Sequence, residues 1–323
     1  MTWDLGAFAV EEPIGRGGAA TVWRGRHRRS GLPVAIKVLD VAEPQEAEVR
    51  AVAGLDHPNV VLLFDHGVLP DGSGRPWLAM ELARGTLANA APLPWPDLRD
   101  VLERLLSALA HAHARGVFHL DLKPANVLLG CRRGEWEPAE DPLSGLRLAD
   151  FGIARRVRTG ERDPAHGAIV GTPAYMAPEQ ARGQRHRTGP WTDLYALACT
   201  AWELASGAPP FDGDSPTEIL QAHVVREPPP LRNRVPVPAG FAGWLAWLLE
   251  KEPRDRALRA ADAAEALRAL PEDDWVEPVA ATAPAPAGDT LRLDGADLPA
   301  SARSPRPRRG GPPPFRAGWR EPD

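Results

Sequence analysis

Apolar and polar positions change rhythm once along this chain, near residue 95. Before about residue 81 the apolar residues come in short, partly β-branched runs broken by glycine and turn residues: "FAVEEPIGRGG", "AATVWRG", "PVAIKVLD", "VVLLFDHG" and "PWLAMEL". Runs of this kind predict the strands of a small sheet, and "PQEAEVRAVAGL" predicts one helix between the third and fourth strands. From Trp95 the period lengthens. In "WPDLRDVLERLLSALAHAHARG" the residues Leu98, Val101, Leu102, Leu105, Leu109 and Ala112 recur at i, i+3, i+4 and i+7, which predicts a long amphipathic helix closed by Gly116. Helical patterns return at about 190–206, 216–225, 240–250 and 260–269. The class is α+β, with a small β-rich lobe carrying one helix followed by a larger α-helical lobe.

Beyond Leu270 the pattern stops. Residues 271–323 are rich in Pro, Ala, Gly and Arg and cannot bury enough apolar surface to offset the entropy of ordering, so they predict a disordered tail. Within it, "SPRPRRGGPPPF" suits a polyproline II ligand, which makes a docking partner the competing expectation.

Composition narrows the function. An apolar fraction of 43% and a charged fraction of 25% belong to an ordinary globular protein, and a net charge of -5 argues against nucleic acid as the main partner. Cys131 and Cys199 lie far apart without a CxxC pair, so neither a disulfide framework nor a zinc site is expected. The start "MTWDLGAFAVEEP" lacks the cationic and apolar regions of a secretory signal, and no run approaches about 18 apolar residues, so the expected location is cytoplasmic without a transmembrane segment. Only three lysines, Lys37, Lys123 and Lys251, stand against 35 arginines. In such a chain a retained lysine marks a place that needs a compact ammonium on a flexible stem.

The candidate chemistry begins with "GVFHLDLKPANVLL". Its polar residues His119, Asp121, Lys123 and Asn126 match neither a helical face nor a strand alternation, and they read as a polar loop held between buried anchors. Asp121 can accept a hydroxyl proton, Lys123 can neutralise a transferring phosphoryl group, and Asn126 can offer an oxygen to a hard cation. In "LRLADFGIA" Asp150 follows a strand-like run and suits Mg²⁺. Upstream, Gly15, Gly17 and Gly18 let backbone N–H groups approach an anion, and "VAIK" places Lys37 on a strand. A lysine near phosphates needs a carboxylate partner. Glu48 is the choice here, with Glu43 and Glu46 as competitors within about a turn. His111, His113 and His119 superficially resemble metal ligands, but the first two belong to the amphipathic helix and the third to the loop.

The ordered set "GRGGAATV", "VAIK", "HLDLKPAN", "DFG" and "GTPAYMAPE" resembles the eukaryotic-like, bacterial-type Ser/Thr protein kinase family over about residues 8–270. The resemblance implies a bilobal protein kinase fold, with an N-lobe at about 8–81, a hinge at about 81–85 and a C-lobe at about 86–270. It implies ATP and Mg²⁺ as cofactors and protein Ser/Thr hydroxyls as acceptors, those of the chain itself included. Asp121 is then the catalytic base, Lys123 contacts the γ-phosphate, Lys37 holds the α/β-phosphates and pairs with Glu48, and Asn126 and Asp150 bind magnesium. The nucleotide pocket is implied at Ile14, Gly15, Gly17, Gly18, Val22, Ala35 and Lys37, with Met80 as gatekeeper and the backbone of Glu81 and Ala83 on adenine. Glu179 with Arg256, and Asp193 below the catalytic loop, are implied as scaffold.

Four features set this chain apart. Leu120 stands where the family usually has an arginine that pairs with a phosphorylated activation segment, and leucine cannot make that contact. Between Phe151 and Ala177 the only Ser/Thr hydroxyls are Thr159 and Thr172. The interval from Lys37 to Glu48 is short, and "CRRGEWEPAEDPLSG" reads as an exposed insertion. Leu120 and the peptide-like tail keep a pseudokinase or ATP-binding scaffold acting through its tail in contention beside an active kinase, with a small-molecule phosphotransferase as the third reading.

Overall fold

The structure, a computed structural model, describes residues 3–17, 20–40, 52–131, 143, 145–151 and 172–279. Among these residues a six-stranded sheet is built from β1 (Asp4–Leu5), β2 (Phe8–Gly17), β3 (Ala20–His27), β4 (Pro33–Leu39), β5 (Leu63–Val68) and β6 (Pro76–Glu81). Its order is β1-β2-β3-β4-β6-β5, and every neighbouring pair is antiparallel. The five runs read from the sequence become β2 to β6. The fourth starts later than its apolar run suggests, because Val60 and Val61 turn away to bridge Leu148. β1 is a two-residue strand that apolar periodicity does not reveal.

Alternation gives the sheet two faces. On one, Leu5, Phe8, Val34, Ile36, Val38, Trp77 and Ala79 form a separate apolar cluster, while Ala20, Ala35, Leu39, Leu78 and Met80 join the main core shared with the helices. Gly25 shows how tight the sheet is: a Cβ there would meet Ala9 O at 2.7 Å and Ile36 Cδ1 at 2.5 Å. The helix expected between the third and fourth strands falls mostly outside the described residues.

The helical part opens with α1 (Trp95–His113), whose buried stripe includes Leu98, Val101, Leu102, Leu105, Leu109 and Ala112. The helix stops before the residue expected to close it. Ala114 is the cap, and Gly116 (φ +70°) instead forms the turn that reverses the chain toward the polar loop. After α2 (Pro178–Ala181) comes α3 (Pro190–Ser206), which is apolar all round and buried almost throughout, a central post rather than a surface helix. It ends at Gly207 in the left-handed region (φ +85°), an inexpensive conformation only for glycine. α4 (Pro216–Val225), α5 (Phe241–Leu248) and α6 (Ala260–Arg268) complete the helices, and α6 packs on α1, α3 and α5.

Two small sheets frame the site and the far end. β7 (Gly85–Thr86), β8 (Val127–Leu129) and β9 (Arg147–Leu148) form the first. β10 (Val237–Pro238) pairs with β11 (Trp275–Val276) in the second. The chain beyond Leu270 therefore does not leave the helical part at once. Glu272 accepts the Trp95 indole N–H (2.9 Å) and the Arg99 guanidinium (2.6 Å), and Asn233 Nδ2 reaches the carbonyls of Val276 and Glu277. Polar pairing, invisible to apolar periodicity, carries residues 271–279. Among the described residues no helix is long and apolar enough to cross a membrane.

Candidate active site

The polar loop is built from below by Asp193, a fully buried carboxylate in α3. Its Oδ2 accepts the His119 N–H (2.8 Å) and lies 2.8 Å from His113 Nε2, while its Oδ1 accepts the Leu120 N–H (2.7 Å). Burial pushes this carboxyl upward, but the His113 hydrogen bond and the neighbouring donors outweigh it and hold Asp193 below the usual carboxylate value. Leu120 is thereby fixed at φ +63°, a conformation that L-residues rarely adopt. Gln180 Nε2 donates to the Leu120 carbonyl (3.1 Å), so both backbone groups of this residue are held.

His119 does not line the site with its polar neighbours, as the loop pattern suggested. It is fully buried, its Nε2 lies 2.7 Å from Ala149 O, and its ring packs against Phe151 at 4.8 Å. Burial lowers its pKa, so it stays neutral near pH 7. It is a strut between the loop and the segment carrying Asp150.

Asp121 is the hub of the exposed side. Lys123 Nζ donates to its Oδ2 (2.8 Å) and to Thr172 Oγ1 (2.5 Å), while the Thr172 N–H (3.3 Å) and hydroxyl (3.4 Å) approach Oδ1. Asn126 Nδ2 donates to the Asp121 carbonyl (2.8 Å) and to Oδ2 (3.2 Å), which leaves the amide oxygen of Asn126 available to an electrophile. The Asp121 side chain is 26% exposed, open enough to receive a hydroxyl.

Opposite it, Lys37 from β4 and Asp150 form an ion pair at 2.6 Å. Asp150 also sits in the left-handed region (φ +65°), directly after Ala149, whose N–H donates to Asn126 O (2.9 Å). The two candidate magnesium residues are thus tied through adjacent backbone. No group of three or more His, Cys, Asp or Glu that could hold a metal occurs among the described residues. One carboxylate and one amide oxygen fit a cation that completes its shell with water and phosphate oxygens, which is the habit of Mg²⁺.

The nucleotide residues fall on four adjacent strands, β2, β3, β4 and β6. Val22 pairs with Lys37, Ala35 pairs with Met80, and Gly15 pairs with Val22, with a register irregularity at Ile14 between Pro13 and Gly15. Gly17 ends β2; Gly18 lies outside the described residues. Met80 is buried, Glu81 ends β6, and Ala83 is half-buried just beyond it. Glu48, Glu43, Glu46 and Thr159 also lie outside the described residues, so the described partner of Lys37 is Asp150. Glu179 and Arg256 form the fully buried pair expected of them, at 2.9 and 3.0 Å.

A family profile described as "Protein kinase domain" matches residues 8–267. Serine/threonine-protein kinase PknF of Mycobacterium tuberculosis is 34% identical over 300 residues, covering 86% of this chain and 60% of PknF. Serine/threonine-protein kinase PknA of the same species is 33% identical over 331 residues, covering 95% of this chain and 73% of PknA. The chain belongs to the eukaryotic-like Ser/Thr protein kinase family. The PknI kinase domain of M. tuberculosis has the same fold, at 27% identity and a TM-score of 0.57 over 83% of this chain and 97% of that one. Against PknF, the chain spans less than two thirds of the relative's length.

Within this kinase fold the structure assembles Asp121, Lys123 and Asn126 in one hydrogen-bonded group and Lys37 with Asp150 in another, joined at Asn126 and Ala149. Sequence reading assigned His113 to the amphipathic helix without its contact to Asp193, and it passed over Gln180 and Arg147. His113 carried a signal, since it is a polar residue at the inner end of a helix stripe. Gln180 and Arg147 carried none, because their partners are distant in sequence.

Proposed function

We propose that the protein is an active Ser/Thr protein kinase that transfers the γ-phosphoryl group of ATP to protein Ser/Thr hydroxyls, its own included. The observation that carries this is the Asp121 carboxylate, held by Lys123, Asn126 and Thr172 within the same site as the Lys37–Asp150 pair. The acceptor hydroxyl gives its proton to Asp121 as its oxygen bonds to the γ-phosphorus, and the bond to the β–γ bridging oxygen breaks to release ADP. Lys123 neutralises the moving phosphoryl group and Lys37 the α/β-phosphates, with Glu48 as its second carboxylate. Adenine rests against the backbone of Glu81 and Ala83, between Ile14, Gly15, Val22 and Ala35, with Met80 behind. Magnesium, held by Asn126 and Asp150, supplies charge neutralisation on the phosphate oxygens when bound.

A cytoplasmic setting accords with Cys131 and Cys199, both buried free thiols. A docking role for "SPRPRRGGPPPF" rests on its Pro/Arg composition. An Mg²⁺-ATP assay with a generic protein substrate tests the catalytic reading. Asp121→Ala is expected to lose about 10²–10⁴ in rate, and phosphosite mass spectrometry should find phosphoserine or phosphothreonine. An unchanged rate overturns the role of Asp121, and an inactive wild type favours the scaffold reading.

A further inference from the structure

We propose that Arg147 is a positioning residue for the nucleotide, its guanidinium pairing with Glu81 to hold the adenine-binding hinge in register with the strand that leads to Asp150. The inference rests on the nucleotide reading above and goes beyond it. Arg147 lies three residues before Asp150, outside the "DFG" triplet, and no role was read for it from the sequence.

Three chain segments close a ring behind the cleft. The first side joins the hinge to residue 62: the Glu81 N–H donates to Leu62 O (3.1 Å), and Glu81 Oε2 accepts the Leu62 N–H (3.1 Å). The second joins residues 59–61 to β9, through Leu148 N–H to Asn59 O (2.8 Å), Val61 N–H to Leu148 O (3.0 Å) and Asn59 Nδ2 to Leu146 O (3.2 Å). The third runs from β9 back to the hinge. There Arg147 Nε donates to Glu81 Oε2 at 3.2 Å, with side-chain exposures of only 12% and 1%. At Glu81 that third side is made by side chains, the backbone route from β9 through β8 reaching the chain three residues further on, at Arg84.

The placement matters because a nucleotide must satisfy both ends of the cleft at once. Adenine is set by the hinge backbone at Glu81, and the phosphates by Lys37 and Asp150, three residues after Arg147. Without Arg147 the Asp150 end keeps its backbone bonds to Asn126 and to residues 59–61, while Glu81 keeps Leu62 and its β4 pairing, and the far end of the hinge keeps the Arg84 N–H to Leu129 O bond (2.9 Å), one strand removed from β9. An error of about 1 Å between binding groups is enough to cost a large factor in function. Stability alone is a poor reason for the pair. Buried ion pairs are often replaceable by apolar residues without loss, and here Glu81 Oε1 has no partner among the described residues. A pair that is costly to bury and joins the two halves of a binding site is better explained by the geometry that it enforces.

The test measures KM for ATP, kcat, adenosine affinity and the unfolding midpoint in the full chain. The variants are Arg147→Met, Arg147→Lys and the double variant Arg147→Met/Glu81→Gln, in which the substituted amide oxygen can still accept the Leu62 N–H. In Arg147→Met, KM for ATP is expected to rise about tenfold with adenosine affinity falling in parallel and kcat little changed, the size of one lost charge-assisted contact. Arg147→Lys should recover much of both. The double variant, which leaves no unpaired buried charge, should recover the unfolding midpoint but not KM, and it carries the readout if the single variant does not fold. Unchanged KM and adenosine affinity, or a double variant that restores KM together with stability, would overturn the inference while leaving the nucleotide reading intact. A wild-type chain that binds neither ATP nor adenosine overturns both.

Discussion

Lys37 Nζ lies 2.6 Å from Asp150 Oδ1, joining the sheet of the β-rich lobe to the strand end of the helical one. Burial alone would raise the Asp150 pKa. The Lys37 ammonium, helped by His119 and Lys123, reverses this and holds the carboxyl below its ordinary value. A depressed carboxylate contributes stability that is present above its unfolded pKa of about 3.9 and is lost as pH falls through the folded value. The contact therefore persists through neutral pH and fails only in acid. In Lys37→Met the burial effect loses its main opponent, so a carboxyl-carbon NMR titration should show Asp150 protonating at higher pH. Phosphoryl transfer should fall at least about 10²-fold; an unmoved titration would refute the coupling.

Thr172 bridges Lys123 and Asp121 through one hydroxyl, and that bridge makes a separable prediction. Thr172→Ser keeps the oxygen and should retain most activity. Thr172→Val keeps the shape, removes the acceptor for Lys123 at 2.5 Å, and should lower kcat about 10-fold, the worth of one hydrogen bond to a charged group. Equal rates for the two variants would show that Thr172 acts by packing alone.

What the sequence revealed and what it hid follow from the range of the forces involved. β2 to β6 and, apart from the four-residue α2, the helices from Trp95 onward were legible because apolar periodicity is local and the main core uses it directly. Asp121, Lys123, Asn126 and Asp150 were legible because their chemistry is compressed into short motifs. The ring through Arg147, the His113–Asp193 contact and the strand Trp275–Val276 were not, since each depends on partners dozens of residues away along the chain. The helix end misled for a related reason. Gly116 looked like a stop, but α1 closes at Ala114 through its own carbonyls, and the glycine is used for the turn beyond.

Leu120 shows how the catalytic loop is held without an arginine at that position. Its N–H is taken by Asp193 and its carbonyl by Gln180, whose Oε1 in turn accepts the Ala177 N–H (3.1 Å). These bonds need no phosphate. Phosphatase treatment is therefore expected to leave ATP turnover within about twofold, whereas Gln180→Ala should lower it about 10-fold by releasing the loop. Complete loss of activity on dephosphorylation would defeat this account.

Glu179 and Arg256 meet with two guanidinium bonds at essentially zero exposure, and the Thr192 hydroxyl adds a third donor at 2.7 Å. Breaking such a pair leaves an uncompensated charge. Arg256→Met should cost about 3–5 kcal/mol of unfolding free energy, and Arg256→Met/Glu179→Leu should recover a large part of it. Denaturant unfolding of the four members of the cycle measures both. A double variant no better than the worse single variant would point to lost packing instead of stranded charge.

His223, on α4, links stability to pH from inside the helical lobe. It is fully buried, with Nδ1 2.9 Å from the Tyr195 hydroxyl and its ring 4.8 Å from that of Phe211. Burial, and then the Lys251 ammonium, push its pKa down to about 4, against a smaller opposing effect of the Ala174 carbonyl. Between about pH 4 and the unfolded value near 6.5 the unfolded chain binds the extra proton, so stability must rise with pH across that window and level off above it. A shift of this size corresponds to about 3 kcal/mol. Lys251, itself lowered to about 8, is charged in both states throughout the window and adds no slope there. His119, also lowered by burial, contributes in the same direction. His223→Gln should therefore flatten the rise in unfolding free energy between about pH 4 and 6.5 without abolishing it. A slope identical to that of the wild type would mean that His223 gains its proton as easily in the folded chain as in the unfolded one.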